Sequence, residues 1–173
     1  MQFRKSIPRP LKMRILCIDP GTAITGYGVI DKQGRNSAHV AHGCIATHKD
    51  TSKEKRLLSL EKQLIAIFKE YKPDIVAVES LFFFKNLKTA ITVAQARGVI
   101  LYEIKKNRMP LSNYTPLQVK QALTGYGKAE KKQVQLMTKS ILRLKSLPKP
   151  DDTADAIAIA ICHLNSRKIN NLR

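Results

Sequence analysis

The sequence predicts an α/β protein in which helices cover both faces of a mixed five-stranded sheet. Three short apolar segments near the start of the chain, joined by short polar links, are typical of an antiparallel meander of three strands. Two further strand candidates alternate with helical patterns, which is the setting of strands in a parallel or mixed sheet. Together these observations indicate five strands in one sheet.

The predicted meander occupies residues 13–46. Its first strand, residues 13–18, is a compact apolar run that ends at Asp19 and continues into a Pro-Gly-Thr turn. The second and third strands are expected at residues 27–30 and 38–46, separated by a polar stretch that contains a glycine. Links this short favour antiparallel pairing of neighbouring strands.

The remaining chain alternates helical and extended patterns. Residues 52–70 repeat apolar side chains at helical spacing, and the short apolar run at 75–78, which ends at Glu79, has the character of a buried strand. The other expected elements are a long helix at 86–106, a strand at 111–115, and helices from Pro116, at 130–145 and at 151–166. The long helix is apolar on two sides, so both sides need a covering surface.

The charge of the chain points to an anionic partner. It carries 31 Lys and Arg against 13 Asp and Glu among 173 residues, which is a formal net charge of +18. Nucleic acid is the usual partner of such a surface, because each neutralised phosphate releases counterions. The charge alone decides neither between DNA and RNA nor between a binding protein and an enzyme.

Composition and segment lengths argue against several other classes. Hydrophobic residues make up 43% of the chain, which is enough for a buried core. No apolar run approaches the ~20 residues of a membrane span, and the basic start lacks the apolar stretch of a secretory signal. The cysteines are far apart and form no CxxC pair, which favours a reducing cytoplasm. We expect a disordered basic leader at residues 1–12, one domain at 13–166 and a basic tail at 167–173.

Because the chain has so few acids, the position of each one is informative. Asp19 and Glu79 both end apolar strands, at the sheet edge where α/β proteins form ligand sites. Asp152 and Asp155 are three residues apart, so they lie on one face of the last helix. The alternative for Asp19 is a turn-forming role. For the helix acids it is capping of the helix start, for which Asp151 would suffice.

Acids from distant parts of a chain that meet in space repel one another unless a cation lies between them. Oxygen ligands without a His or Cys cluster favour Mg²⁺, for which Mn²⁺ can substitute. Two such ions ~3.5–4 Å apart can serve the hydrolysis of a phosphodiester, so we expect two ions in the active site. An acidic metal site within a basic protein is the electrostatic pattern that a nuclease requires.

Several sequence blocks point to a known family. They are Ile18-Asp19-Pro20-Gly21-Thr22 with Thr25-Gly26-Tyr27-Gly28, Glu79-Ser80-Leu81-Phe82 with Lys85-Asn86, Ala94-Gln95-Ala96-Arg97-Gly98, Tyr114-Thr115-Pro116 with Val119-Lys120, Gly125-Tyr126-Gly127-Lys128-Ala129-Glu130-Lys131, and Pro150-Asp151-Asp152-Thr153-Ala154-Asp155-Ala156. In this order, across about residues 13–163, they resemble the RuvC family of Holliday-junction resolvases. One block alone would be a weak signal, whereas all of them together are specific.

The resemblance implies an RNase H-like fold, a homodimer and a Mg²⁺-dependent endonuclease that nicks two opposing strands of a four-way DNA junction in recombination and repair. It also implies cooperation with the branch-migration proteins RuvA and RuvB. By position it assigns the catalytic and metal-binding acids Asp19, Glu79, Asp152 and Asp155, the DNA-contacting Lys120 and Lys131, and Phe82 beside the unstacked bases of the junction. A core position is the alternative for Phe82.

Symmetry supports the homodimer independently, because a four-way junction and an isologous pair of chains share an approximate two-fold axis. The helix at residues 86–106 is the expected interface, and close approach of another backbone would explain Gly98 within it. Two smaller expectations concern other residues. In an RNase H-like protein Gly21, Gly26 and Gly28 shape the turn after the first strand. His163 is expected as a cation at the end of the last helix, and a catalytic role is the less favoured alternative.

Two other functions remain open at this level. One is a non-catalytic protein that holds branched DNA or structured RNA, which would need no metal. The other is an RNase H-like nuclease that acts on RNA or RNA–DNA hybrids. The intact set of acids argues against the first, because a protein that only binds gains nothing from negative charge facing phosphate.

Overall fold

The computed structural model describes residues 12–34, 36–48, 50–80 and 87–170, with the backbone alone at 87, 88 and 167–170. The strands are β1 (Lys12–Asp19), β2 (Ile24–Gln33), β3 (Asn36–Ala46), β4 (Ile75–Glu79) and β5 (Leu111–Tyr114). The helices are α1 (Lys53–Tyr71), α2 (Leu87–Lys106), α3 (Pro116–Thr124), α4 (Lys131–Ile141) and α5 (Asp151–Asn170). Each element lies where the sequence predicted one, with ends that differ by a few residues.

The five strands form one mixed sheet in the order β3-β2-β1-β4-β5. The first three strands pair antiparallel, as the short links between them predicted. Strand β4 pairs parallel with β1, and β5 pairs parallel with β4. The predicted mixed sheet with an antiparallel three-strand meander is therefore confirmed. Its central strands are continuous apolar runs because both faces of the sheet are covered.

The helices divide between the two faces of the sheet. On one face α5 packs against β1 and β2, with Ile157 in a buried cluster that includes Ile15. On the other face α1 and α2 bury Leu64 and Ile100 against Leu16. Consecutive residues of a strand point to opposite faces, so neighbours in β1 enter different cores. This confirms the predicted helices on both faces.

Helix α5 continues to Asn170, beyond its predicted end at residue 166. His163 consequently lies inside the helix, on the side that faces the sheet. It is 1% exposed, and its Nδ1 lies 2.8 Å from the hydroxyl oxygen of Tyr114. The expectation that His163 ends the last helix is wrong, because the helix continues past it and buries it.

Among the described residues, no helix combines the length and the hydrophobicity needed to cross a membrane. The cysteines are all free, and Cys17 and Cys162 are buried in the core.

Candidate active site

Two of the predicted acids end adjacent parallel strands. Ile18 of β1 is paired with Val78 of β4, so the next residues, Asp19 and Glu79, leave the sheet side by side at its carboxyl edge. Their carboxyl groups are hydrogen-bonded to each other. Two carboxyl groups form such a bond only when one of them keeps its proton. Full ionisation of both groups is therefore unfavourable unless a cation lies between them.

The pKa values of this pair reflect crowding of negative charge. Burial is the main reason why the pKa of Asp19 lies well above its ordinary value, and the charges of Glu79, Asp155 and Asp152 raise it further. Burial also raises the pKa of Glu79, although the hydrogen bond from Asp19 opposes the rise. A cluster with these pKa directions binds protons or cations in preference to remaining fully ionised.

The first turn of α5 lies against β2 opposite Asp19. Gly26 is the partner of Asp19 in the β1–β2 ladder, and a methyl carbon added to it would lie 2.5 Å from the carbonyl carbon of Asp152. Only a residue without a side chain lets the helix come this close. This close packing brings Asp152 and Asp155 near enough to affect the ionisation of Asp19.

The expectation that Gly21, Gly26 and Gly28 all shape the turn after the first strand is confirmed only for Gly21. Gly21 does lie in that turn, where a methyl carbon would overlap the carbonyl oxygen of Ile24. Gly26 and Gly28 lie within β2 instead, where the absence of a side chain lets α5 pack closely against the strand. A methyl carbon at Gly28 would lie 2.9 Å from a side-chain carbon of Ile157.

Lys131 compensates part of the negative charge. Its Nζ lies 3.0 Å from Oδ2 of Asp155 and 3.6 Å from Oδ2 of Asp151. Burial lowers the pKa of Lys131, but the hydrogen bond to Asp155 and the neighbouring acids together raise it above its ordinary value. The pKa of Asp155 is also raised, chiefly by burial, although Lys131 opposes the rise. The ion pair with Lys131 thus offsets only part of the cost of burying the Asp155 carboxylate.

Two of the acids, Glu79 and Asp155, line a cleft that also contains both predicted DNA-contacting lysines. The cleft has a volume of about 270 Å³. Its lining includes Glu79 from β4, Asp155 from α5, Lys120 from α3 and Lys131 from α4. The positive charges of the two lysines act on Glu79 and lower its pKa against the effect of burial. Four separate elements thereby place acidic and basic groups around one opening.

The residues fit a divalent cation by the chemistry of their donors. Across the described ranges, no three His, Cys, Asp or Glu side chains stand in an arrangement that would hold a metal ion without adjustment. The donors that converge on Asp19 are nevertheless carboxylate oxygens, the ligands that Mg²⁺ and Mn²⁺ prefer. Burial first, and like charge second, raise the pKa values of Asp19, Glu79 and Asp155, and a bound cation would offset both effects.

One predicted site residue, Phe82, lies outside the described residues.

Arg97 also supports the site, although the sequence analysis gave it no role and named it only within a block that resembles the family. Arg97 of α2 donates from Nε to the backbone carbonyl of Glu79 at 3.2 Å and from Nη2 to Oδ1 of Asn113 at 2.7 Å. It therefore fixes the end of β4 relative to β5. The signal in the sequence was a single arginine within an otherwise apolar stretch of helix.

A mixed sheet with acids at the carboxyl ends of two parallel strands, and further acids on a helix laid across them, defines an RNase H-like nuclease. The comparison with known proteins agrees with this class. The model of the family described as crossover junction endodeoxyribonuclease RuvC matches residues 15–163. The chain belongs to the RuvC family, and the predicted RNase H-like fold and family are confirmed. Members of this family are metal-dependent endodeoxyribonucleases.

Relatives and a solved structure match over most of the chain. The crossover junction endodeoxyribonuclease RuvC of Fusobacterium nucleatum is 54% identical over 89% of this chain and 81% of the relative. The protein of the same name from Syntrophomonas wolfei is 52% identical, with 92% of each chain covered. The structure of Thermus thermophilus RuvC in complex with a Holliday junction substrate matches with a TM-score of 0.84 and 33% identity. That match covers 91% of this chain and 96% of the other.

Proposed function

We propose that this protein resolves four-way DNA junctions by paired nicks, with Asp19, Glu79, Asp152 and Asp155 as the catalytic acids. In this proposal the acids hold two Mg²⁺ ions, and Mn²⁺ can replace them. The observation that carries the proposal is the hydrogen-bonded pair of Asp19 and Glu79, which lies beside Asp155 at a cleft lined by two lysines. Membership of the RuvC family supports the junction as the substrate.

The chemistry divides between the cation and the side chains. A bound divalent cation supplies Lewis-acid stabilisation of the phosphate and lowers the pKa of a water molecule. Asp19 and Glu79 would provide partly buried carboxylate ligands to it. Lys120 lines the same cleft, where its charge can bind a phosphate oxygen. Lys131 holds Asp155 in place and adds a second positive charge.

The paired nicks require two active sites, and we propose that a homodimer supplies them through α2. This helix exposes Ile91 at 70% and Tyr102 at 62%, and Leu58 of α1 beside it is 56% exposed. Within one chain, the described residues place no atom within 4 Å of a methyl carbon at Gly98. A second chain can therefore approach this helix closely, as the glycine suggested. A two-fold dimer matches the symmetry of a junction.

Further parts of the proposal rest on the family and the sequence. Phe82 contacts unstacked bases at the junction centre, and the RuvA and RuvB proteins deliver the junction. Residues 13–166 form the nuclease domain, flanked by a basic leader at 1–12 and a basic tail at 167–173. We place the reaction in the cytoplasm, where free thiols persist.

Cleavage of a synthetic four-way junction tests the proposal. We expect symmetric paired nicks with Mg²⁺ and none in EDTA, and loss of cleavage in Asp19→Asn and Glu79→Gln with binding in EDTA retained. Asp50→Asn is the matched control, because its side chain is 71% exposed and pairs only with His48 among the described ion pairs. Paired nicks that persist in Asp19→Asn would contradict the assignment.

The same experiment separates the two other functions. A protein that only binds would retain the junction without cutting it under any metal condition. A nuclease for RNA–DNA hybrids would cut a hybrid faster than the junction when both are present. Paired cutting of the junction in preference to the hybrid contradicts both of them.

A further inference from the structure

The position of Asp19 depends on the turn that follows it. Asp19 lies one residue beyond Ile18, where the parallel pairing of β1 with β4 stops. Its ladder partner, Gly26, belongs to β2 on the other side. Residues 20–23 connect these two strands at the edge of the sheet. Any movement of this turn therefore moves the carboxyl group of Asp19 relative to that of Glu79.

Three residues tie this turn to the neighbouring elements. The hydroxyl of Thr47 donates to the carbonyl oxygen of Thr22 at 2.9 Å, and Nε of Arg56 donates to the Thr47 hydroxyl oxygen at 3.0 Å. Nη2 of Arg56 donates to the Thr22 carbonyl as well. The backbone N–H of Thr47 donates to the carbonyl of Ala23 at 2.9 Å. We refer to Thr22, Thr47 and Arg56 as the turn clamp.

The turn is also held from within. Thr25 is 2% exposed, and its hydroxyl donates to the carbonyl oxygen of Gly21 at 3.1 Å. The turn also lines a pocket between α1 and α2 that includes Leu60 and Ala96. Hydrogen bonds from the turn clamp therefore restrain the turn on the side where it borders this pocket.

We propose that Arg56 is a positioning residue for Asp19, acting through the turn clamp. It holds the turn so that the carboxyl group of Asp19 stays within hydrogen-bonding distance of Glu79, where both can share a cation. The planar guanidinium suits this role because it donates to two different acceptors in fixed directions, which a lysine ammonium cannot reproduce. The inference rests on the proposed function of the acids, and it adds a residue that keeps Asp19 in position relative to Glu79.

The test compares variants that break or preserve the turn clamp. Arg56→Gln and Thr47→Val each remove hydrogen bonds to the turn, whereas Thr47→Ser keeps the hydroxyl. The matched control is Arg14→Gln at the other end of β1, where Arg14 makes comparable bonds, from Nε to Asp31 at 2.8 Å and from Nη1 to the carbonyl of Tyr71 at 3.0 Å. The measurements are single-turnover junction cleavage against Mg²⁺ concentration, junction binding in EDTA, and the rise in Tm on adding Mn²⁺ without DNA.

We expect Arg56→Gln and Thr47→Val to lower the cleavage rate by about tenfold to hundredfold, because a displacement near 1 Å in an active site has an effect of this size. The Mn²⁺ concentration that half-maximally raises Tm should increase several-fold. Junction binding in EDTA should stay unchanged. Thr47→Ser should match the wild type, and Arg14→Gln should lower Tm without changing cleavage by the folded protein.

Two results would overturn the inference. In the first, Arg56→Gln cuts at the wild-type rate with the wild-type metal dependence. In the second, junction binding in EDTA falls in parallel with cleavage, which would make Arg56 a direct DNA contact. Failure of the proposed function is distinguishable from both, because the wild type would then not cut at all. In that case an unchanged Mn²⁺ response of Tm in Arg56→Gln would still overturn the role of the turn clamp.

Discussion

The substitution Gly26→Ala should uncouple the acids of α5 from those of the sheet. The added methyl carbon would lie 2.5 Å from the carbonyl carbon of Asp152 and 3.1 Å from the backbone nitrogen of Thr153, whereas real contacts of this kind are not found under 3.0 Å. Because the obstacle is backbone, the first turn of α5 must move outward, by about 0.5–1 Å. A misplacement of this size lowers reaction rates by up to about a hundredfold, and overpacking destabilises a protein by about 1–3 kcal/mol.

The assay is single-turnover cleavage of a four-way junction at saturating protein and Mg²⁺, with Tm measured in parallel. Gly28→Ala is the matched control, because its methyl carbon would lie 2.9 Å from a side-chain carbon and 3.3 Å from the Cα of Ile157, more than one turn further along α5 than Asp152. We expect both variants to lose stability but only Gly26→Ala to lose most of its cleavage. A folded Gly26→Ala protein that cuts as fast as the wild type would refute the reasoning that close packing of α5 on β2 assembles the site.

Three further predictions follow from the charges and the exposed surfaces. Burial and like charge raise the pKa of Asp19 above its ordinary value of 3.8. The contribution of Asp19 to the free energy of unfolding is therefore fully present below pH 3.8 and falls as the pH rises through the raised pKa. In EDTA at neutral pH, Asp19→Asn should therefore raise Tm, by about 2–4 °C for each kcal/mol of repulsion removed, with the difference vanishing toward acid pH. Lys120→Ala should slow cleavage by about 10–100-fold with Tm nearly unchanged, since it removes the charge that the proposed function places beside the reacting phosphate. The exposed Lys132→Ala should cut normally. Cleavage by Lys120→Ala at the wild-type rate would contradict that role. Ile91→Glu should give monomers in analytical ultracentrifugation, because it places a charge on the proposed α2 interface. The control Leu136→Glu, at a site 50% exposed on α4, should leave the dimer intact. A dimeric Ile91→Glu protein would exclude this interface.

The sequence was informative about the strands and the acids because burial leaves a direct trace in composition. Strands β1 and β4 are short apolar runs, and an acid at the end of such a run is conspicuous in a chain with 13 acids. Helical spacing likewise placed Asp152 and Asp155 on one face of α5. These features are local, so a window of a few residues contains them.

Other features depend on pairs of residues that are distant in the chain. The extent of α5 was underestimated, so His163 was assigned to a helix end although it packs beside Tyr114. Gly26 looked like a turn residue because nothing near it in sequence shows that α5 will lie against it. Arg56 stood out only once the structure placed it beside the turn after β1.

The sequence by itself determined the order and type of the elements, the excess of positive charge and the family to which the chain belongs. Each of these depends on composition, on the pattern of neighbouring residues or on the order of motifs along the chain. Only the tertiary structure decided that Asp19 and Glu79 lie side by side, how near α5 approaches β2, and which lysine pairs with Asp155. The physical reason is that hydrogen bonds, ion pairs and burial act over a few ångströms in space, whatever the separation along the chain.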